Sequence, residues 1–308
     1  MMKRLPQPLA GVVPPMLTPL EDRDALDCAG LERLIDHLLA GGVHGLFVLG
    51  TTGEGPNHSY RLRRELVART CQIVQGRVPV LVGITDTSFV ESIHLARQSA
   101  ESGADGLVLA PPFYHPPGPP ELRAYLEHLL PELPLPLFLY NLPSLTKVSI
   151  TLDTIRWAMD QPGIAGIKDS SASMIYFHQV RALLPRRPGW TLLIGPEELL
   201  GEAVLLGGHG GICGGANMFP RLYVNLFKAA HAGDIPRTRA LQDIVGQVAD
   251  RIYGVGAHAS AVIKGIKTAA ACLGICGARM AEPFPPFHEA EQRRIEQAVR
   301  DLQPLISL

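Results

Sequence analysis

Eight short apolar segments alternate with eight longer amphipathic segments over most of this 308-residue chain. The short segments have the length of strands buried on both faces, and the longer ones have the length of helices. The predicted strands are Gly11–Leu17, Gly45–Gly50, Pro79–Ile84, Gly106–Ala110, Pro136–Tyr140, Ile164–Lys168, Thr191–Gly195 and Gly210–Gly214. The predicted helices lie near residues 28–40, 59–75, 88–102, 120–131, 151–160, 173–184, 197–206 and 218–232. Eight strand–helix units in about 225 residues predict a (β/α)8 TIM barrel. A doubly wound open sheet is less favoured, because no Gly-x-Gly-x-x-Gly follows the first strand.

The pattern changes after residue 234, where no further strand is indicated. Helices are predicted near residues 236–253, 259–273 and 287–302, with prolines at 283, 285 and 286 separating the last two. We therefore predict a catalytic barrel over residues 9–234 and a C-terminal helical extension over residues 235–308. The extension is expected to pack on the barrel rather than to form an independent domain.

Composition excludes several classes of function. The formal net charge is -1 and no long charge run occurs, so neither nucleic acid nor an anionic membrane is an expected partner. No apolar run is long enough to span a membrane, and prolines at positions 6, 8, 14 and 15 interrupt any secretory signal. The five scattered cysteines favour buried, reduced thiols, and the eleven histidines show no metal-binding spacing. A cytoplasmic protein without a bound metal is expected.

The segment Ile164–Ile167 is apolar and leads directly into Lys168. A lysine at the end of a buried strand is poorly hydrated, which disfavours its ammonium form. A neutral amine in a pocket is the nucleophile that Schiff-base chemistry with a carbonyl substrate requires. The alternative is that Lys168 reaches solvent or pairs with Asp169.

Two other predicted strands end in polar residues. Thr51 and Thr52 lie between glycines before a helix, and their hydroxyl and backbone N–H groups suit a carboxylate. A tight turn with a capping threonine is the alternative. Tyr140 ends the strand that precedes the Lys168 strand, and a phenol beside an amine can transfer the protons of carbinolamine formation.

Two loops have unusual compositions. Pro111–Pro120 predicts a stiff loop that presents Tyr114 to the site or to a neighbouring subunit. The glycine-rich segment Gly207–Ala216 could bind phosphate, but no lysine or arginine lies near it in the sequence. His209 within this segment is expected to be structural.

Three motifs in this order carry a specific resemblance: Gly50-Thr-Thr-Gly-Glu54, Tyr140-Asn-Leu-Pro143 and Gly166-Ile-Lys-Asp-Ser170. Together they resemble the dihydrodipicolinate synthase / N-acetylneuraminate lyase family, from about residue 9 to the C-terminus. The resemblance implies a class I aldolase that forms a Schiff base with pyruvate or another 2-oxo acid and needs no cofactor. It also implies a homotetramer built as a dimer of dimers.

The resemblance assigns roles to residues of the three motifs. Lys168 would form the Schiff base and Tyr140 would be the acid/base phenol. Thr52 would be a relay hydroxyl that passes protons to Tyr114 of the neighbouring subunit. Thr51 and Thr52 would bind the pyruvate carboxylate. Gly195 and Ile212 would line the same pocket.

The chain departs from the synthase pattern at Leu145, where synthases carry an arginine that binds the semialdehyde carboxylate. Leucine cannot form that pair, which favours a neutral or polyhydroxylated aldehyde. Glu197 and Glu198 correspond to acidic residues that bind sugar hydroxyls in the lyases, and Ser170 could supply a further hydroxyl. Gly214 replaces a serine of those lyases. Dehydration of a 2-keto-3-deoxy sugar acid through the same Schiff base, a non-catalytic ligand-binding barrel and a phosphate-binding isomerase remain alternatives.

Overall fold

The structure is a computed structural model and describes residues 5–306. The predicted extension to residue 308 therefore ends two residues beyond the described chain. The proline residues that interrupt the N-terminal apolar stretch belong to the described residues, whereas residues 1–4 do not.

Eight parallel strands form a closed barrel, which confirms the predicted fold class. Along the sheet the order is β1-β8-β7-β6-β5-β4-β3-β2, with the strands numbered as they occur in the chain. Their bounds are β1 Gly11–Val12, β2 Leu46–Val48, β3 Val80–Gly83, β4 Gly106–Leu109, β5 Leu137–Asn141, β6 Ile164–Asp169, β7 Thr191–Ile194 and β8 Gly210–Gly211. The barrel closes between the segment after β1 and β2, where Phe47 donates its N–H to Pro14 O at 2.9 Å and accepts from Met16 N at 2.8 Å.

A helix follows each strand and covers the outside of the barrel. The bounds are α1 Cys28–Ala40, α2 Tyr60–Val74, α3 Phe89–Glu101, α4 Pro119–Leu129, α5 Leu152–Met159, α6 Met174–Arg181, α7 Leu200–Leu205 and α8 Pro220–His231. In α1 the buried residues Leu31, Leu34, Ile35 and Leu38 recur at helical spacing, so one face packs on the strands. Asp27 caps this helix by accepting a hydrogen bond from Gly30 N. These local signals explain why the predicted helix bounds agree closely with the structure.

The interior of the barrel is filled by side chains from the inward faces of the strands. This inner cluster comprises Leu9, Val13, Phe47, Leu81, Val108, Ala110, Phe138, Tyr140, Ala165, Leu193 and Ile212. The cluster combines large rings such as Phe47 and Phe138 with small residues such as Ala165, and its members are buried, so the interior is packed and not a channel. Tyr140 is the polar member of this cluster and marks its mouth.

The structure differs from the sequence prediction at four places. β1 ends at Val12 because Pro14 and Pro15 have no N–H to donate to a ladder. β8 ends at Gly211, before a 3-10 turn at Gly214–Asn217. A small hairpin of Leu20–Asp22 and Ala25–Leu26, and a one-turn helix at Pro143–Thr146, have no counterpart in the prediction.

The extension consists of three helices, α9 Ile235–Ile252, α10 Ala261–Cys272 and α11 Glu289–Ile306. Their buried residues, such as Val245 and Ile266, belong to the same hydrophobic cluster as the barrel helices. The segment between α10 and α11, residues 273–288, passes close to the carboxyl ends of the strands. No helix between residues 5 and 306 is both long and apolar enough to cross a membrane.

The cysteines agree with the prediction of buried thiols only in part. Cys71, Cys213 and Cys276 are buried and Cys28 is half-buried, whereas Cys272 is exposed at the end of α10. All five are unpaired thiols.

Candidate active site

Lys168 and Tyr140 are register partners on the neighbouring strands β6 and β5. Lys168 is only 4% exposed, and its Nζ lies 3.9 Å from the centroid of the Tyr140 ring and 5.3 Å from that of Phe47. The parallel register fixes this contact, because both residues stand at the carboxyl ends of adjacent strands. The structure thus brings together the amine and the phenol that the sequence singled out.

Asp169 does not pair with Lys168, although it is the next residue. Its carboxylate accepts hydrogen bonds from Asn141 Nδ2 at 3.0 Å, Ser171 N at 3.1 Å and Ser171 Oγ at 3.1 Å. Burial raises the pKa of Asp169, and these hydrogen bonds act in the opposite direction. Successive residues of a strand point to opposite faces, so Asp169 points away from the pocket. Among residues 5–306, no carboxylate lies within ion-pair distance of Lys168 Nζ.

The Tyr140 hydroxyl is held by polar neighbours. Its distance to Thr51 Oγ1 is 3.3 Å, and the Lys168 amine and the Ser170 hydroxyl also act on it. Burial alone raises the pKa of Tyr140, but the Lys168 cation and the neighbouring hydroxyls of Thr51 and Ser170 outweigh burial and lower the pKa from its ordinary value. A phenol with a lowered pKa gives and takes protons more readily near neutral pH.

The hydroxyl beside Tyr140 is that of Thr51, and the relay role predicted for Thr52 stays a prediction. The turn is tight because Leu49 and Glu54 both have left-handed backbone angles, with φ of 59° and 55°. Consecutive threonines in such a turn face different neighbours. A Cβ placed on Gly214 would lie 3.7 Å from Thr52 Oγ1, so Thr52 faces the loop after β8 instead.

Gly195 leaves the room that the Ser170 hydroxyl occupies. A Cβ on Gly195 would lie 1.8 Å from Ser170 Oγ, and Gly195 N donates to Asp169 O at 2.7 Å. Ile212 is buried in the inner cluster below the lysine. Both residues therefore border the site where the resemblance placed them, and their contact with a substrate stays a prediction.

Glu197 is a buried carboxylate surrounded by hydrogen-bond donors. It is buried and accepts hydrogen bonds from Gly215 N at 2.8 Å and from the hydroxyls of Tyr223 and Tyr253. Burial raises the pKa of Glu197, while these three donors lower it in opposition. Through these partners Glu197 secures the loop after β8, and its predicted role in binding sugar hydroxyls stays a prediction. Glu198 is exposed, and a ligand-binding role there stays a prediction.

Tyr223 and Tyr253 are residues of this site that the sequence analysis missed. Tyr223 lies on α8, and Tyr253 follows α9, 56 residues after Glu197. The sequence signal was the glycine-rich segment that contains Gly215. The structure shows why a side chain is excluded there, since a Cβ on Gly215 would lie 1.9 Å from the Tyr223 hydroxyl.

Tyr114 lies away from Lys168 in the single chain. It is 76% exposed on the proline-rich loop after β4 and packs edge-on against His115. Its contribution to a neighbouring subunit's site stays a prediction.

An apolar cavity of about 210 Å³ opens on the other side of Tyr140. Its lining residues are Phe47, Leu49, Gly50, Thr51, Pro56, Gly83, Thr85, Val108, Ala110, Phe113, Tyr140, Leu142, Leu145 and Thr146. Leu145, on the one-turn helix Pro143–Thr146, is 52% exposed at its edge. None of the lining residues carries a charge, so the cavity offers no partner for a second carboxylate.

His209 is structural, as expected. Its Nδ1 accepts from Leu192 N at 2.9 Å and its carbonyl accepts from Gly11 N at 2.8 Å, which ties β8 to β7 and β1. This contact lies at the amino ends of the strands, opposite Lys168.

These features define a barrel enzyme whose reactive groups stand at the carboxyl ends of the strands. Residues 8–302 match the model of the dihydrodipicolinate synthetase family, and the chain belongs to that family of synthases and aldolases.

Solved structures and a curated relative support this assignment. A dihydrodipicolinate synthase of Bacteroides thetaiotaomicron is 52% identical with a TM-score of 0.93, and the match covers 96% of this chain and 99% of that one. YagE of Escherichia coli K12, solved in complex with pyruvate, is 30% identical with a TM-score of 0.90, covering 96% and 98%. The probable 2-dehydro-3-deoxy-D-pentonate aldolase YjhH of Escherichia coli is 32% identical over 287 residues, 92% of this chain and 93% of the relative.

Proposed function

We propose that this chain is a class I aldolase that forms a Schiff base between Lys168 and pyruvate or another 2-oxo acid. One observation carries the proposal: a buried lysine amine without a carboxylate partner lies against a tyrosine whose pKa is lowered. A lysine amine that no carboxylate engages can bond to the carbonyl carbon of a substrate. The relative YagE, solved with pyruvate, supports pyruvate as the 2-oxo acid.

The proposed reaction begins with attack of Lys168 Nζ on the C2 carbonyl of the 2-oxo acid. Tyr140 gives a proton to the departing C2 hydroxyl, water leaves and an iminium forms. Tyr140 then takes the proton of the C4 hydroxyl, and the C3–C4 bonding electrons move to C3 as the aldehyde leaves. The cationic iminium accepts these electrons and becomes a neutral enamine, so no metal or cofactor is required. Protonation at C3 and addition of water at C2 release pyruvate and the amine.

The carboxylate of the 2-oxo acid is assigned to the Thr51–Thr52 turn. Two hydroxyls and the turn's backbone N–H groups offer donors for charge-assisted hydrogen bonds. The Thr51 hydroxyl would contact both Tyr140 and this end of the substrate.

The second substrate is proposed to be an aldehyde without a carboxylate. Leu145 and the uncharged cavity beside Tyr140 provide no cation to pair with one. Aldehydes released from 2-keto-3-deoxy sugar acids, such as glyceraldehyde, meet this requirement, and the aldolase YjhH is named for a substrate of that kind.

We further propose a cytoplasmic homotetramer in which Tyr114 completes the site of a neighbouring subunit. The support is its position: an aromatic residue on a rigid loop is 76% exposed at the strand-end face of the barrel. Such a residue is typical of an interface.

Hydrogen exchange at the pyruvate methyl group tests enamine formation without knowledge of the aldehyde. In heavy water, wild-type protein is expected to remove the methyl proton signal of pyruvate, because each enamine takes its new proton from solvent. With Lys168→Met, exchange is expected to fall to the rate measured in buffer without protein. Lys228 is an exposed lysine on α8, and Lys228→Met is expected to exchange pyruvate protons as fast as wild type. Exchange that persists in Lys168→Met would refute the proposed role.

Aldehyde choice is then measured by pyruvate consumption with glyceraldehyde, butanal and succinic semialdehyde. Preference for the carboxylated aldehyde would contradict the assignment of a neutral second substrate.

A further inference from the structure

The Thr51–Thr52 turn is held from behind by a buried ion pair. Glu54, three residues after Thr51, pairs with Lys267 of α10, and both side chains are buried. Glu54 Oε1 also accepts from Ala281 N at 2.8 Å, and Lys267 Nζ donates to Arg279 O at 2.6 Å. The C-terminal extension therefore meets the turn through one helix residue and the segment between α10 and α11.

The turn has little freedom to adopt another shape while this contact is intact. Glu54 has a left-handed backbone with φ of 55°, which costs energy for a residue with a side chain. Its N–H donates to Thr51 O at 3.0 Å. A Cβ on Gly53 would lie 2.7 Å from Met16 O, so the turn also packs closely on the chain after β1. The conformation of Glu54 thus determines where the threonine hydroxyls and N–H groups point.

A buried pair of this kind is not explained by stability alone. Replacing a buried ion pair by apolar residues is often neutral or stabilising, whereas removing one partner leaves the other charge buried and unpaired. The pair joins the extension to the turn that is assigned to the substrate carboxylate. Its position therefore indicates a role in the geometry of that turn.

We propose that Glu54 and Lys267 are positioning residues through which the C-terminal extension holds the Thr51–Thr52 turn in the conformation that binds a 2-oxo acid carboxylate. The inference rests on the proposed function, since it assumes that the substrate is such an acid. Neither residue touches the reacting atoms.

Borohydride trapping with two ketones separates positioning from general structural damage. Acetone is pyruvate with its carboxylate replaced by a methyl group, so it reports on the Lys168 amine but not on the carboxylate contact. The variants are Lys267→Met, the double variant Glu54→Gln/Lys267→Met, and the control Lys264→Met. Lys264 lies on the same helix, near Phe287. Each protein is reduced over a range of pyruvate or acetone concentrations, and the adduct is quantified by mass.

Lys267→Met is expected to lose about tenfold or more in its preference for pyruvate over acetone, because charge-assisted hydrogen bonds to the carboxylate are misaligned. Trapping of acetone by Lys267→Met is expected to match wild type, and so is trapping of both ketones by the control Lys264→Met. The double variant removes both charges and is expected to fold and to lose the same preference.

An unchanged preference in folded Lys267→Met, or an equal loss for both ketones, would overturn the inference. Failure of both variants to fold would make the pair a folding determinant and overturn it as well. If wild type traps no pyruvate at all, the proposed function fails instead, so the two failures are distinguishable.

Discussion

Gly195→Ala is expected to lower activity by moving one hydroxyl group. The new Cβ would lie 1.8 Å from Ser170 Oγ and 2.9 Å from Ser170 Cβ, so the serine side chain must turn away. The Ser170 hydroxyl then moves away from Tyr140, and it is one of the groups that lower the pKa of that phenol. The substitution adds only one methyl group, but it lies next to the groups of the proposed proton transfer.

The size of the effect is taken as that of one polar interaction with the reacting phenol. A hydrogen bond to a charged group contributes about 1.5–3 kcal/mol, which corresponds to a factor of about ten to a hundred in rate. Overpacking at the site should cost about 1–3 kcal/mol of folding free energy. The expected result is a folded protein with a modestly lower melting temperature and a rate lower by about ten- to a hundredfold.

The assay is the rate of methyl proton exchange in pyruvate as a function of pH. Moving away a hydroxyl that lowers the pKa of Tyr140 raises this pKa. The alkaline limb of the profile, where Tyr140 loses its proton, is therefore expected to move to higher pH. Ser170→Ala should produce the same shift without the strain.

Gly246→Ala is the matched control. A Cβ at Gly246, within α9, meets no atom within 4 Å, so this variant should keep full activity and gain about 0.5–1 kcal/mol of stability. A wild-type rate and an unshifted pH profile in Gly195→Ala would refute the role assigned to Ser170 and Tyr140.

Three further experiments test other parts of the site. Leu145→Arg is expected to raise the ratio of kcat/KM for succinic semialdehyde over butanal by about tenfold, because a bidentate pair with the carboxylate becomes available; an unchanged ratio, measured by pyruvate consumption, would count against the cavity as the aldehyde site. Glu197 has a raised pKa in the folded chain, so its stabilising contribution is complete below the unfolded pKa and is lost as pH rises through the folded value. The melting temperature of Glu197→Gln minus that of wild type should therefore increase from acid to neutral pH, and a constant or decreasing difference would contradict the burial of this carboxylate. Mixing inactive Tyr114→Phe and Lys168→Ala proteins should restore part of the activity after demonstrated subunit exchange, and no recovery would argue against a site shared between subunits.

The barrel could be predicted from sequence because its signals are local. Alternating strand and helix patterns, capping residues such as Asp27, and glycines at strand ends each depend on a few neighbouring residues. Even the contact between Tyr140 and Lys168 follows from local patterns, once consecutive strands are taken as parallel neighbours.

The remaining contacts of the site depend on distant parts of the chain. The pair Glu197-Glu198 shows two acids in sequence, but not that the first faces the buried hydroxyls of Tyr223 and Tyr253 while the second faces solvent. Likewise, Thr51 and Thr52 are alike as a motif, and only the left-handed turn determines which one contacts Tyr140. Backbone geometry within tight turns and contacts with the extension are what the sequence pattern leaves undetermined.

The most direct measurement of the central claim is the location of the covalent adduct. Wild-type protein is incubated with pyruvate, reduced with borohydride, digested and analysed by mass spectrometry. The peptide containing Lys168 is expected to gain the mass of pyruvic acid less one oxygen atom, because loss of water forms the iminium and addition of hydrogen reduces it. An adduct at another lysine, or no adduct at saturating pyruvate, would contradict Schiff-base formation by Lys168.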